Sequence, residues 1–195
     1  MSNTNNAENI NNEGSEKKVD WKKELLSWAG YILFVIVVTY VILTYVGQRT
    51  MVDGRSMNPT LNHKDNLIVE KISYRFSDPE RFDIIVFPPY DTKEYYIKRI
   101  IGLPGETVQI DEMGTIYING EVLEEDYGLE TIKYPGRAIE EIELGEEEYF
   151  VLGDNRNNSV DSRSEDVGNI SRDQIIGRAW VRIWPLSDIG LLKHE

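Results

Sequence analysis

Apolar residues are spread along this chain in two different ways. From Leu25 to Val46 they run without a single charge: LLSWAGYILFVIVVTYVILTYV. After Arg49 they come in short bursts: DNLIVEK, FDIIVF, YYIKRII, ETVQI, TIYING, EYFVLG and AWVRIW. The first pattern is long enough for a helix to cross the ~30 Å hydrocarbon core of a bilayer. Trp28, Tyr40 and Tyr45 are suited to its interfacial ends. A cleaved signal sequence fits less well, because its apolar region runs only ~7–15 residues. No small-x-small site follows either; the next residues are GQRTMV. The second pattern, short and rich in Val, Ile, Tyr and Phe, predicts β-strands. Asn119-Gly120 predicts a tight hairpin between Ile116–Ile118 and Val122–Leu123. Pro-Gly pairs at 104–105 and 135–136 mark further turns, and SRDQII (171–176) suggests one short helix. The stretch EEDYGLETIKYPGRAIEEIELGEEE (124–148) reads as an acidic, solvated excursion from the sheet.

These patterns predict a mainly β protein: a single N-terminal transmembrane helix (25–46) followed by a strand-rich domain (49–195). Residues 1–24 are expected to be a disordered tail, since Asn, Glu, Ser and Lys dominate the first twenty and leave little to bury. Lys17, Lys18, Lys22 and Lys23 crowd one end of the apolar run, while Arg49, Arg55 and Lys64 are scattered beyond the other. That asymmetry predicts a single pass through the cell membrane, with a cytoplasmic N-terminus and an extracytoplasmic β-domain.

Composition narrows the chemistry. A net charge of −13 argues against nucleic acid as a partner. With no cysteine there is no disulfide, no thiolate nucleophile and no Cys-ligated zinc. The serine of GRSMNPTL, Ser56, lies just past the apolar run and is a candidate nucleophile. A serine needs a neighbour to take its proton. Only two histidines exist: His63, in the loop LNHKDN, and His194, the penultimate residue. Neither setting suits a Ser-His-Asp triad. A lysine serves only if burial depresses its pKa. In YYIKRIIGLPGE, Lys98 shares a strand face with Tyr96 and Ile100, while Ile97, Arg99 and Ile101 face the other way. Either Lys98 is neutral in an apolar setting or it guards a solvated edge. LGDNRNNSVDSR (152–163) is dense in hydrogen-bonding groups. Read as a calcium loop it places Asp154, Asn158 and Glu165 at positions 1, 5 and 12, but Arg156 and Ser159 spoil positions 3 and 6. Two readings stand for it: a solvated polar turn, or a set of groups bracing a lysine.

GRSMNPTL, RFDIIVF, YIKRIIGLPGE and GDNRNNSVDSR, in this order after an apolar anchor, closely resemble the type I bacterial signal peptidases, and AWVRIWPLSDIG resembles the end of their shorter, Gram-positive-type members. The resemblance covers nearly all of residues 25–190. It implies a membrane-bound Ser/Lys serine endopeptidase that frees exported preproteins from their signal peptides, with no cofactor and no metal. Ser56 matches the nucleophile and Lys98 the general base. Ser159 matches the hydroxyl that holds the lysine, Asp161 and Arg163 the bracing pair, and Asp154 a supporting carboxylate. Some members carry a hydroxyl two positions before the nucleophile, to help hold the oxyanion; here that residue is Gly54, leaving the Ser56 backbone N–H and another donor. Val52, Tyr96 and Ile97 are candidate walls of the substrate pocket. The fold that the resemblance implies is a largely antiparallel β catalytic domain around a groove, like that of the SOS-repressor cleavage domain. Two alternatives are a self-processing Ser/Lys protease and a membrane-tethered β-domain that binds envelope components without chemistry.

Overall fold

The structure, a computed structural model, describes residues 21–89 and 94–192. The first twenty residues of the expected tail, and His194, lie outside that range. The chain divides into two units, one up to Tyr40 and one from Val41 onward.

The first unit is helix α1, Trp21–Val41, apolar on all sides and with no buried residue. It is long and apolar enough to cross a membrane. Ile42–Val46 continue the chain as a single π-helical turn.

The second unit is β-rich and antiparallel throughout. Its strands are β1 (Gly47–Met51), β2 (Asn66–Glu70), β3 (Ile84–Phe87), β4 (Tyr96–Gly102), β5 (Thr107–Ile110), β6 (Ile116–Ile118), β7 (Glu121–Val122), β8 (Ile142–Glu143), β9 (Glu148–Leu152), β10 (Ile170–Ser171), β11 (Gly177–Trp184) and β12 (Gly190–Leu191). The larger sheet runs β1-β2-β11-β3-β4-β9-β10, with β12 on β11; the smaller runs β7-β6-β5-β8. Ile84–Phe87 is buried at every position because β3 sits between β11 and β4 with both faces covered. Asn119 and Gly120 both adopt positive φ, 53° and 77°, and close the β6–β7 hairpin.

Three apolar clusters hold the unit together. Val52, Met57 and Leu61 from the segment after β1 pack with Val69, Ile84 and Ile97. Ile85, Phe87, Ile100 and Tyr149 form another cluster, with Tyr96 against it. Val108, Ile110 and Ile118 of the small sheet close on Phe150 and Leu152 of β9. Each such side chain contributes roughly 1.5–3 kcal/mol when fully buried.

The acidic stretch departs from expectation. It is no free excursion: Ile132, Ala138, Ile142 and Leu144 are buried in the third cluster. Apolar residues spaced irregularly among glutamates anchor it without showing a period. The short helix is a single 3-10 turn, Arg172–Gln174, closed by a capping box between Ser171 and Gln174.

Candidate active site

The turn that carries Ser56 is pinned at both ends. Val52 enters the core on one side of it, and Met57 and Leu61 are buried at 1% and 0% exposure on the other. The Leu61 N–H donates to the Met57 carbonyl at 2.8 Å, and the Asn58 N–H to the Arg55 carbonyl at 3.2 Å. Gly54 takes φ +101°, which strains any residue with a Cβ. Its N–H donates to His63 Nδ1 at 3.3 Å. Ser56 is thus left half-buried between apolar plugs.

Lys98 arrives from β4. This strand is no sheet edge, since it lies between β3 and β9. Lys98 is opposite Ile85 of β3 and is only 4% exposed. Its Nζ lies 2.9 Å from Ser56 Oγ, 3.0 Å from the Ile97 carbonyl and 5.0 Å from the centre of the Tyr96 ring. Burial lowers its pKa from the ordinary 10.5 to about 8, while the charges of Asp161 and Asp154 pull it upward. About a tenth of such a lysine is a neutral amine at pH 7, several hundredfold more than of a solvated one, and it is already in hydrogen-bond contact with a hydroxyl.

The strand beside it then runs out. β9 ends at Leu152, opposite Arg99, so toward Tyr96 the strand has β3 as its only strand partner among the described residues. A groove of about 580 Å³ opens there, with Ser56 and Lys98 among its lining residues. Val52, Tyr96 and Ile97 line it too, with Met51, Tyr95 and Val160. Another hollow, of about 420 Å³, holds Arg172 with Asp78, Glu146 and Glu147 and contains no Ser/Lys pair.

The loop 153–163 meets this site from below. The Asn155 N–H donates to the Ser56 carbonyl at 2.9 Å, and Asn155 Nδ2 to the Arg55 carbonyl at 3.1 Å. Gly153 lies so close that a Cβ there would stand 2.5 Å from the Ser56 carbonyl oxygen. Each buried carboxylate has its own guanidinium. Asp154 takes Arg99 Nε and Nη2 at 2.9 and 2.8 Å, and Thr60 Oγ1 donates to it at 2.5 Å. Asp161 takes Arg163 Nε and Nη2 at 2.8 and 2.9 Å and the Gly153 N–H at 3.0 Å. Glu125 takes Arg156 Nη1 and Nη2 at 2.7 and 2.9 Å. Bidentate pairing of this kind lets full charges sit at 0–10% side-chain exposure. Lys98, by contrast, has only uncharged hydrogen-bond partners among the described residues.

The structure therefore brings Ser56, Lys98, Asp154, Asp161 and Arg163 into one region. Ser159 differs from expectation: its hydroxyl is buried beside Gly153 and takes no hydrogen-bond partner among the described residues, Lys98 included. Arg99, Thr60, Gly153 and Asn155 are contributors that reading the sequence overlooked. Arg99 carried a signal, because a second cation on an apolar strand demands a buried carboxylate. Thr60 and Asn155 carried none beyond standing in the same motifs. Among the described residues no group of acidic and imidazole side chains is placed to hold a metal ion.

Known proteins resemble this chain over nearly its full length. The family profile described as signal peptidase, peptidase S26, matches residues 25–184. A probable signal peptidase I-2 from Synechocystis is 40% identical over 195 residues, covering 96% of this chain and 87% of that protein. Signal peptidase I of Leptolyngbya laminosa is 45% identical over 165 residues, covering 80% of this chain and 78% of its own. Signal peptidase I of Bacillus amyloliquefaciens is 33% identical over 188 residues, covering 93% of this chain and 100% of its own.

Proposed function

We propose, since this chain belongs to the signal peptidase family (peptidase S26), that it removes N-terminal signal peptides from exported preproteins, with Ser56 as nucleophile and Lys98 as general base. The observation that carries this reading is the 2.9 Å contact between Lys98 Nζ and Ser56 Oγ at the groove.

The substrate strand pairs along the open edge of β4. Neutral Lys98 takes the Ser56 proton as Oγ attacks the carbonyl carbon before the scissile bond. The Ser56 N–H is the oxyanion donor that the turn itself supplies, because Gly54 has no hydroxyl and its own N–H is given to His63. The Lys98 ammonium returns the proton to the leaving amine as the C–N bond breaks. Lys98 then deprotonates a water, which releases the acyl group and restores the Ser56 hydroxyl. Val52, Tyr96 and Ile97 form the substrate pocket, and the residue type it admits is small. Ser159 holds the Lys98 ammonium once it has taken the proton. Asp161 with Arg163, and Asp154 with Arg99, keep the loop under the nucleophile fixed. No cofactor enters.

In the same reading α1 anchors the chain in the cell membrane, N-terminus inside, and the β-domain works outside. Confining enzyme and preprotein to one bilayer raises their effective concentration. The test is cleavage of a preprotein by the detergent-solubilised full chain, with the new N-terminus sequenced. A single cut behind a small residue, just past the apolar segment and absent with Ser56→Ala, is expected. Unchanged cutting by Ser56→Ala would show that the nucleophile lies elsewhere.

A further inference from the structure

We propose that the segment from Glu125 to Leu129, inside the acidic stretch, is a strap that positions the nucleophile and base from behind, with the Tyr127 ring as its principal contact. The inference rests on Ser56 and Lys98 acting as assigned above.

Along the first part of the strap, alternate side chains turn inward. Glu124 and Asp126 are exposed, while Glu125 and Tyr127 are sheltered. Glu125 grips Arg156 with both carboxylate oxygens. The Tyr127 ring lies 3.7 Å from the Arg99 guanidinium carbon, and Phe82 flanks the ring at 5.0 Å. The Leu129 N–H donates to the Asp154 carbonyl at 2.9 Å. Gly128 runs alongside Arg156, at a distance where a Cβ would make ordinary contact with its guanidinium. Glu125, Tyr127 and Leu129 thus each contact a residue of the 153–163 loop or of its Arg99 clamp.

Arg99 is where the strap acts. It follows Lys98 in β4 and clamps Asp154. Asp154 in turn holds Thr60 of the nucleophile segment, and the next residue, Asn155, holds the backbone of Arg55 and Ser56. A planar guanidinium stacked under an aromatic face is fixed in orientation as well as stabilised. The Tyr127 hydroxyl is buried and takes no partner among the described residues, so the ring face is what the contact uses. Covering Arg99 also helps keep it and Asp154 at 1% and 0% side-chain exposure. Opening the cover would hydrate this pair and loosen it. Weaker burial of Lys98 and a stronger pull from Asp154 both raise the lysine's pKa.

The experiment compares wild type, Tyr127→Leu and Tyr127→Phe in detergent, measuring kcat and KM on a preprotein across pH. Tyr127→Leu is expected to lower kcat about threefold to thirtyfold, the range of a lost desolvated cation–π contact. KM should stay unchanged, and the acid limb of the profile should move to higher pH. Tyr127→Phe, which keeps the ring, should restore both values. A wild-type pH profile in Tyr127→Leu overturns the strap, whatever its overall rate, and so does a Tyr127→Phe variant as impaired as Tyr127→Leu. If Tyr127→Leu does not fold, Tyr127→Met fills the gap without a π face and is read in its place. Lys98→Met is run alongside: if it cleaves like wild type, the base assignment itself falls, and the strap with it.

Discussion

Replacing Gly153 by alanine adds one methyl group at the point where the 153–163 loop touches the nucleophile turn. The new Cβ would stand 2.5 Å from the Ser56 carbonyl oxygen, where such contacts do not occur below 3.0 Å. The Ser159 side chain blocks retreat on its side, so part of the displacement must fall on the backbone of Ser56. The two chains must separate by about half an ångström to reach even the tightest tolerated contact. Overpacking of this kind costs about 1–3 kcal/mol of stability. Catalysis suffers as well, because misplacing a reacting group by ~1 Å can cost ~100-fold. We expect Gly153→Ala to fold, with a lowered melting temperature, and to lose roughly ten- to a hundredfold in kcat/KM on a preprotein. Circular dichroism and a cleavage time course on the same sample check both. A folded Gly153→Ala enzyme within twofold of wild type would mean that the Ser56 position tolerates the shift, which would refute the reasoning from close approach.

Burial disfavours the charged form of Lys98, whose folded pKa of about 8 lies below the ordinary 10.5. The folded state therefore loses stability as pH falls from 10.5 toward 8, and bears the full penalty below 8, on the order of 3 kcal/mol. Lys98→Met should abolish cleavage yet raise the melting temperature at pH 7, with the gain shrinking as pH approaches 10.5; a Lys98→Met protein less stable than wild type at pH 7 contradicts this. The chain has no cysteine, so Met113→Cys, at a position 80% exposed, gives a unique label. A membrane-impermeant maleimide should modify it on intact cells or spheroplasts, and modification only after lysis would reverse the proposed orientation.

The legible parts of the fold were those whose burial is decided locally. β3 and β4 read as apolar runs because both of their faces are covered, and the Asn119-Gly120 turn needs two positive φ angles that those residues tolerate. β1 was not legible. GQRTM has no apolar alternation, and it becomes a strand by pairing with β2, Gly47 opposite Glu70 through Met51 opposite Asn66. The two-residue strands β8, β10 and β12 are too short to leave a pattern. At the site, the choice between a buried lysine and an edge lysine could not be made from YYIKRII. It depends on β9, more than forty-five residues further on, closing the far side of β4. Arg99 and Asp154 stand 55 positions apart and the acidic stretch lies between them in sequence, so neither their pairing nor its cover by Tyr127 leaves a local signal.

Ser56 owes its proposed reactivity to Lys98 acting as a neutral amine. The pH dependence of kcat/KM on a preprotein, measured from pH 6 to 11 with the full chain in detergent, tests it most directly. kcat/KM should rise tenfold per pH unit at the acid end and level off through a single ionisation near the value of about 8 set by burial. A profile governed by an ionisation at the ordinary 10.5 of a solvated lysine, or one with no such ionisation, would contradict it.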